Sequence, residues 1–137
     1  MVTKFKGDGQ NKPLFGQIVR VHYTARLEGS KKPFEDSRER GRAFEFKLGA
    51  SQVVPGWENA LRTMTFGQRA EITMEPTCTY GNKGHPPVIP PGATIIFDIQ
   101  FIRSYYADAD TAYEHQGLTG DNMIGAGGKE PTGGGVY

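Results

Sequence analysis

The segment Val54-Pro55-Gly56-Trp57-Glu58-Asn59-Ala60-Leu61 constrains this chain most, because it sets the only tryptophan of 137 residues at the mouth of a predicted helix. Pro55 pushes Val54 toward an extended backbone and presets the first helical turn. Trp57, Ala60, Leu61 and Met64 then fall at i, i+3, i+4 and i+7, a single apolar stripe. A tryptophan in a first turn holds its indole at the end of the helix. That position suits the floor of a pocket as well as it suits a core.

The rest of the apolar pattern has period two. Val19, Val21, Tyr23, Ala25 and Leu27 alternate with Arg20, His22, Thr24 and Arg26, which predicts a half-buried strand over 17–27 with the Tyr23 ring facing inward. Phe44, Phe46 and Leu48 predict another strand, ended by Gly49. Ala70, Ile72 and Met74 predict a strand over 69–75, and Ile95, Phe97, Ile99 and Phe101 predict the last one. A short strand at 2–6 precedes the Gly7-Asp8-Gly9 turn, and Thr65-Phe66-Gly67-Gln68 is a turn after the helix. Between 31 and 43 only Phe34 is large and apolar, so this stretch reads as a loop or irregular strand with one anchor. Pro76, Pro86, Pro87, Pro90 and Pro91, with interspersed glycines, make 76–93 a long ordered loop or flap. One short helix covers little, so the sheet must curl around it. The expected class is α+β.

The length suits one domain over 1–104, followed by an extension over 105–137. In that extension Asp108, Asp110, Glu114, Asp121 and Glu130 stand against Lys129 alone, although the whole chain carries a net charge of only +1. Its glycines, with Gly133-Gly134-Gly135 near the end, predict disorder from about 117, and 105–115 is expected to add at most a helical turn. The near-neutral charge gives no footprint for nucleic acid or a membrane surface. Cys78 is the only cysteine, so an intramolecular disulfide is impossible. No apolar run approaches the ~18 residues of a membrane helix, and Met1 to Lys6 lacks a signal-peptide apolar stretch. The expected location is the cytosol, or alternatively the nucleus. His22, His85, His115 and Cys78 match no metal-ligand spacing.

Tyr23, Phe34, Phe44, Phe46, Trp57, Tyr80 and Phe97 lie in or beside the inner sheet face, more aromatic volume than one short helix needs for packing. Some of these rings are expected to line a concavity. The polar groups able to act there are the Tyr23 and Tyr80 hydroxyls, Glu35, Asp36, Asp98, Arg40 and His85. No nucleophile triad or phosphate-cradling glycine loop is present. An apolar cleft with a few hydrogen-bond donors suits an uncharged ligand such as a proline-containing peptide, and it would serve a binder or an enzyme equally well.

Seven stretches, in order and covering roughly 2–103, resemble the FKBP-type peptidyl-prolyl isomerases. They begin with Val21-His22-Tyr23-Thr24, Phe34-Glu35-Asp36-Ser37-Arg38-Glu39-Arg40 and Phe44-Glu45-Phe46-Lys47-Leu48-Gly49. Val53-Val54-Pro55-Gly56-Trp57-Glu58 and Gly67-Gln68-Arg69-Ala70 follow, and the loop contributes Tyr80-Gly81-Asn82-Lys83-Gly84-His85-Pro86 with Ile89-Pro90-Pro91-Gly92-Ala93-Thr94. The resemblance implies a curled antiparallel sheet of five to six strands wrapped around one short helix. It implies a pocket with Trp57 as floor, Tyr23, Phe46 and Phe97 as walls, and Val53 and Val54 at the rim. The Val54 amide and Tyr80 hydroxyl would hold peptide carbonyls, while His85 and Ile89 sit in the overhanging loop. Phe34, Glu35 and Arg40 match positions near the pocket.

The implied activity is cis–trans isomerisation of X–Pro bonds in peptides and client proteins, by a monomer, without metal or cofactor, with rapamycin and tacrolimus as expected ligands. A non-catalytic peptide-binding or chaperone module using the same pocket is the alternative. Glu35 stands where the family usually has aspartate, which carries the carboxylate one methylene further out. Pro87 stands where the family often has glycine and is expected to stiffen the loop tip.

Overall fold

The computed structural model describes residues 1–107. The expectations for the 105–137 extension lie almost wholly outside the described residues.

The described chain runs β1 (Val2–Phe5), β2 (Ile18–Leu27), β3 (Glu35–Asp36), β4 (Phe44–Lys47), α1 (Pro55–Leu61), β5 (Arg69–Met74), a 3-10 turn (Pro76–Cys78) and β6 (Ile95–Tyr105). The six strands form one antiparallel sheet in the order β1-β5-β6-β2-β3, with β4 also paired to β2. The helix stripe packs against the inner face of this sheet, so the expected α+β architecture is the one observed. Val19, Val21, Tyr23 and Ala25 from β2 meet Trp57 and Leu61 from α1 in a single buried cluster. Ala70 from β5 and Phe97 and Ile99 from β6 complete it.

Three local features depart from the periodicity. The helix stops at Leu61, yet Met64 stays fully buried because the chain continues in a tight turn, with the Met64 amide donating to the Leu61 carbonyl at 3.1 Å. The stretch around Phe34 is a two-residue strand, and Phe34 is only half-buried while Glu35 is buried. Finally, β6 runs on to Tyr105, past the alternation that ends at Phe101. A register shift between Arg20 and Val21 of β2 leaves Ile102 unpaired, so the inward phase moves from Phe101 to Ser104. One extra residue flips every later side chain to the other face, which hides the strand from a period-two reading.

The proline-rich segment after β5 is ordered by its own hydrogen bonds. His85 and Ile89 exchange backbone bonds at 2.7 and 3.0 Å, closing a small hairpin around Pro86-Pro87, whose peptide bond is cis. The Gly92 amide reaches back to the Gly81 carbonyl at 3.0 Å.

Candidate active site

The N-terminus of α1 sets the position of Trp57. Val54 caps the helix in an extended conformation, and its carbonyl accepts the Trp57 amide at 3.0 Å. The indole is therefore held at the helix mouth and meets four rings, all edge-on or nearly so. Tyr23 lies 4.9 Å away at 88°, Phe97 5.5 Å at 89°, Phe44 5.8 Å at 83° and Phe46 5.9 Å at 69°. Edge-to-face contacts of this kind are favoured because a positive ring edge meets a negative ring face. The strands supply these rings by simple alternation: Tyr23 from β2, Phe44 and Phe46 from β4, Phe97 from β6. Phe44 joins the cage although the family resemblance did not single it out.

Tyr23, Phe46, Trp57 and Phe97 have no solvent-exposed surface, so a ligand ring reaches the indole only when the atoms covering it move aside. Among the described residues the Trp57 Nε1 hydrogen has no acceptor. Val53 and Val54 are buried at the helix entrance, and Ile89 from the proline-rich loop is buried in the same cluster. Tyr80 and His85 face one another in that loop with ring centroids 5.3 Å apart.

A polar edge lies on one side of the cage. Pairing of Glu35 with Ala25 places the Glu35 carboxylate beside Tyr23, whose hydroxyl donates to Glu35 Oε1 at 3.0 Å. The Arg40 guanidinium sits 5.7 Å from the centre of the Tyr23 ring, a cation over an aromatic face. Glu35 and Arg40 also border a groove of about 590 Å³, with Lys32, Pro33, Phe34, Asp36 and Glu39 as its other walls. Phe34 thus belongs to this groove, and no ring contact ties it to Trp57. Burial, and then the nearby Glu35 charge, hold the Tyr23 phenol far above the ordinary tyrosine range despite the opposing Arg40 charge. Tyr23 is a proton donor at any physiological pH.

Ser37 is a positioning residue that periodicity did not reveal. Fully buried, it accepts the Tyr23 backbone N–H at 2.8 Å and lies 2.8 Å from His22 Nδ1. Burial, followed by the charges of Arg38 and Arg20, lowers the His22 pKa and favours the neutral ring. Only the antiparallel return of the 35–37 segment onto β2 brings Ser37 here, and no local pattern encodes that.

Two acids expected among the site's polar groups stand elsewhere. Asp98 is on the outer sheet face, paired with Arg69 at 2.8 Å and Lys4 at 3.0 Å, because its neighbours Phe97 and Ile99 take the inner face. Asp36 lines the neighbouring groove, away from the ring cage, and accepts the Arg38 amide at 2.9 Å. Among the described residues no group of His, Cys, Asp and Glu is placed to hold a metal ion. No helix among them is long and apolar enough to cross a membrane.

The profile of the FKBP-type peptidyl-prolyl cis-trans isomerase family matches residues 9–102. The chain is 46% identical over 101 residues to the peptidyl-prolyl cis-trans isomerase FKBP1A of Xenopus laevis, covering 74% of this chain and 93% of that protein. It is 41% identical over 97 residues to the peptidyl-prolyl cis-trans isomerase Fkbp12 of Drosophila melanogaster, covering 71% and 89% respectively. With the six-stranded antiparallel sheet, helix α1 and the aromatic cage all in place among the described residues, the chain belongs to the FKBP-type peptidyl-prolyl cis-trans isomerase family.

Proposed function

We propose that the protein accelerates rotation about X–Pro bonds by holding the prolyl ring against Trp57, within the walls formed by Tyr23, Phe46 and Phe97. The edge-on ring cage around the indole is the observation that carries this reading, because its walls are apolar and include no nucleophile. Residues 1–104 are the catalytic unit in this reading, and 105–137 an extension.

Amide rotation faces a barrier of ~18–20 kcal/mol, since the partial double bond must be broken. The planar amide is more dipolar than the twisted one, whose nitrogen lone pair is localised. An apolar cage disfavours the planar form relative to the twisted one and so binds the transition state more tightly. An acceleration of a few orders of magnitude needs only ~4–8 kcal/mol of such selectivity. The Val54 amide and Tyr80 hydroxyl orient the peptide by donating hydrogen bonds to its carbonyl oxygens. Val53, Ile89 and His85 shape the rim, while Phe34, Glu35 and Arg40 border the path on the groove side. The same cage accommodates the macrolides rapamycin and tacrolimus, and the working unit is a monomer acting in the cytosol or nucleus.

Exchange spectroscopy on a short X–Pro peptide tests the reading directly. The wild-type chain should speed cis–trans exchange, while Trp57→Leu and Phe97→Tyr should lower kcat/KM by at least about tenfold, equivalent to ~1.4 kcal/mol of transition-state stabilisation. Peptide peaks that shift without faster exchange would identify a binding module and overturn the catalytic assignment.

A further inference from the structure

The groove beside the ring cage is built by the β2–β4 connection and shares two residues with the polar edge of the site. Glu35 accepts the Tyr23 hydroxyl at 3.0 Å, and the Arg40 guanidinium sits 5.7 Å from the centre of the same ring. Both also line the groove, whose volume is about 590 Å³. Its walls are held by backbone bonds before any ligand arrives. The Phe34 amide donates to the Ala25 carbonyl at 2.8 Å, the Ser37 amide to the Tyr23 carbonyl at 2.9 Å, and the Arg40 amide to the Asp36 carbonyl at 3.2 Å. A peptide with its proline in the cage has its neighbouring residues at the mouth of this groove, since two extended residues span only about 7 Å.

The lining combines apolar surface with unbalanced charge. Phe34 is half-buried and Pro33 exposed, which gives a hydrophobic strip. The carboxylates of Glu35, Asp36 and Glu39 stand against the cations of Lys32 and Arg40. Glu35 and Arg40 are both engaged with Tyr23, so Asp36 and Glu39 face Lys32 alone. Asp36 accepts the amides of Arg38 and Glu39 through one oxygen, Oδ1, at 2.9 and 3.2 Å. Among the described residues neither Asp36 nor Glu39 forms an ion pair. Of the other cations on this connection, Arg38 hydrogen-bonds Gln100 of β6, and Lys31 and Arg42 lie outside the lining. An apolar strip beside unpaired carboxylates matches a side chain with an aliphatic stem and a cationic head.

We propose that this groove is a specificity subsite that takes a lysine or arginine side chain lying within two residues of the substrate proline. Asp36 and Glu39 receive the cationic head, and Phe34 and Pro33 receive the stem. The inference rests on the reading that the cage takes the prolyl ring. An acidic residue at the same place meets repulsion, so the favoured substrates are prolines flanked by basic residues. Because both carboxylates reach solvent, each contact changes affinity only about 1.5- to fivefold and weakens as salt is added.

Short peptides with lysine or glutamate at either of the two positions before or after a single proline test this on the full chain. Exchange spectroscopy gives kcat/KM, and the lysine-to-glutamate ratio is taken within each protein, so that a general loss of activity cancels. The wild type should favour lysine by about three- to tenfold at one or more positions, mainly through KM, and by less at ~0.5 M salt. Glu39 is exposed, so its replacement does not threaten the fold. Glu39→Gln should lower the ratio about twofold, and the double variant Asp36→Asn with Glu39→Gln should bring it near one. Glu71→Gln, which removes a carboxylate beside Lys4 and Arg26 on β5, should leave the ratio as in the wild type. A wild-type ratio near one at every position overturns the inference and leaves the isomerase reading intact. A ratio that survives the double variant, or that falls equally in Glu71→Gln, assigns the preference to the charge of the whole chain and also overturns it. Tighter binding of lysine peptides that is lost in the double variant, with no faster exchange in any protein, upholds the subsite and removes the isomerase reading.

Discussion

The Tyr23 hydroxyl donates to Glu35 Oε1 across 3.0 Å in a place where Tyr23 has no exposed surface and Glu35 only 7%. A carboxylate one methylene longer than the family's usual aspartate therefore still reaches the tyrosine, because β3 pairing sets Glu35 opposite Ala25. Tyr23→Phe should cost about 1–3 kcal/mol of stability, since it leaves a buried carboxylate oxygen short of one donor. Glu35→Gln should cost less, because its amide oxygen can accept the same bond. Urea denaturation of both variants and their double mutant gives the coupling, and a coupling near zero would show that the bond does nothing for the fold.

Alkaline stability follows from the tyrosines. Burial and the Glu35 charge raise Tyr23, while burial and the Glu45 hydrogen bond push Tyr105 up to about 12. Both contributions are fully present below the unfolded value near ~10 and are lost as pH rises through the folded values, because the unfolded chain ionises first. The unfolding free energy should decline above pH ~10. Tyr105→Phe should flatten that decline between ~10 and ~12, as measured by urea titrations across this range.

At the acid end the sign reverses. Burial works against ionised Asp98, but the hydrogen bonds and charges of Arg69 and Lys4 outweigh it, leaving its pKa below the model-peptide value of 3.8. This contribution is present above 3.8 and is lost as pH falls through the lower folded value. Asp98→Asn should destabilise by about 1–3 kcal/mol at neutral pH. The gap between variant and wild type should close in strong acid, and a gap unchanged there would refute the pairing as its cause.

Gly84 is a sensitive point of the proline-rich loop. It has φ of +64°, and an added Cβ would lie 2.5 Å from the Ile89 carbonyl oxygen and 2.5 Å from the Pro90 carbonyl carbon. Both obstacles are backbone, so neither can rotate away. Gly84→Ala should disturb the His85–Ile89 hairpin, cost about 1–3 kcal/mol and raise KM more than it lowers kcat. Thermal melts with peptide kinetics check this; unchanged KM would remove the loop from substrate binding.

Rapamycin and tacrolimus should quench the fluorescence of Trp57, the only tryptophan, with dissociation constants below about 1 μM. Glu35→Asp should change the affinity by less than about tenfold, since the apolar walls remain. No quenching at tens of micromolar, on the order of −6 kcal/mol, would remove these macrolides as ligands.

Much of the site is legible locally. Tyr23, Phe46 and Phe97 each sit at inward positions of period-two segments, and Trp57 sits on a helical stripe that a proline starts. Hydrophobic periodicity reports which face a side chain takes, so these rings could be assigned to the interior from composition along the chain. Phe34 shows the limit. It is the large apolar residue in its stretch, yet Glu35 is the more deeply buried, because pairing with β2 decides which of two neighbours turns inward. Asp98 shows the same limit in reverse: its alternation with Phe97 and Ile99 already excluded the inner face, and its nearness to the aromatics in sequence was misleading.

Residue order alone was enough for the strand alternation, the single short helix and the inventory of inward rings, because each depends on contacts within a few residues. Tertiary pairing decided the edge-on cage around Trp57, the Tyr23–Glu35 bond, the support from Ser37 and the length of β6 past its register shift. Those features join segments far apart along the chain, and their geometry comes from strand register, which no local period encodes.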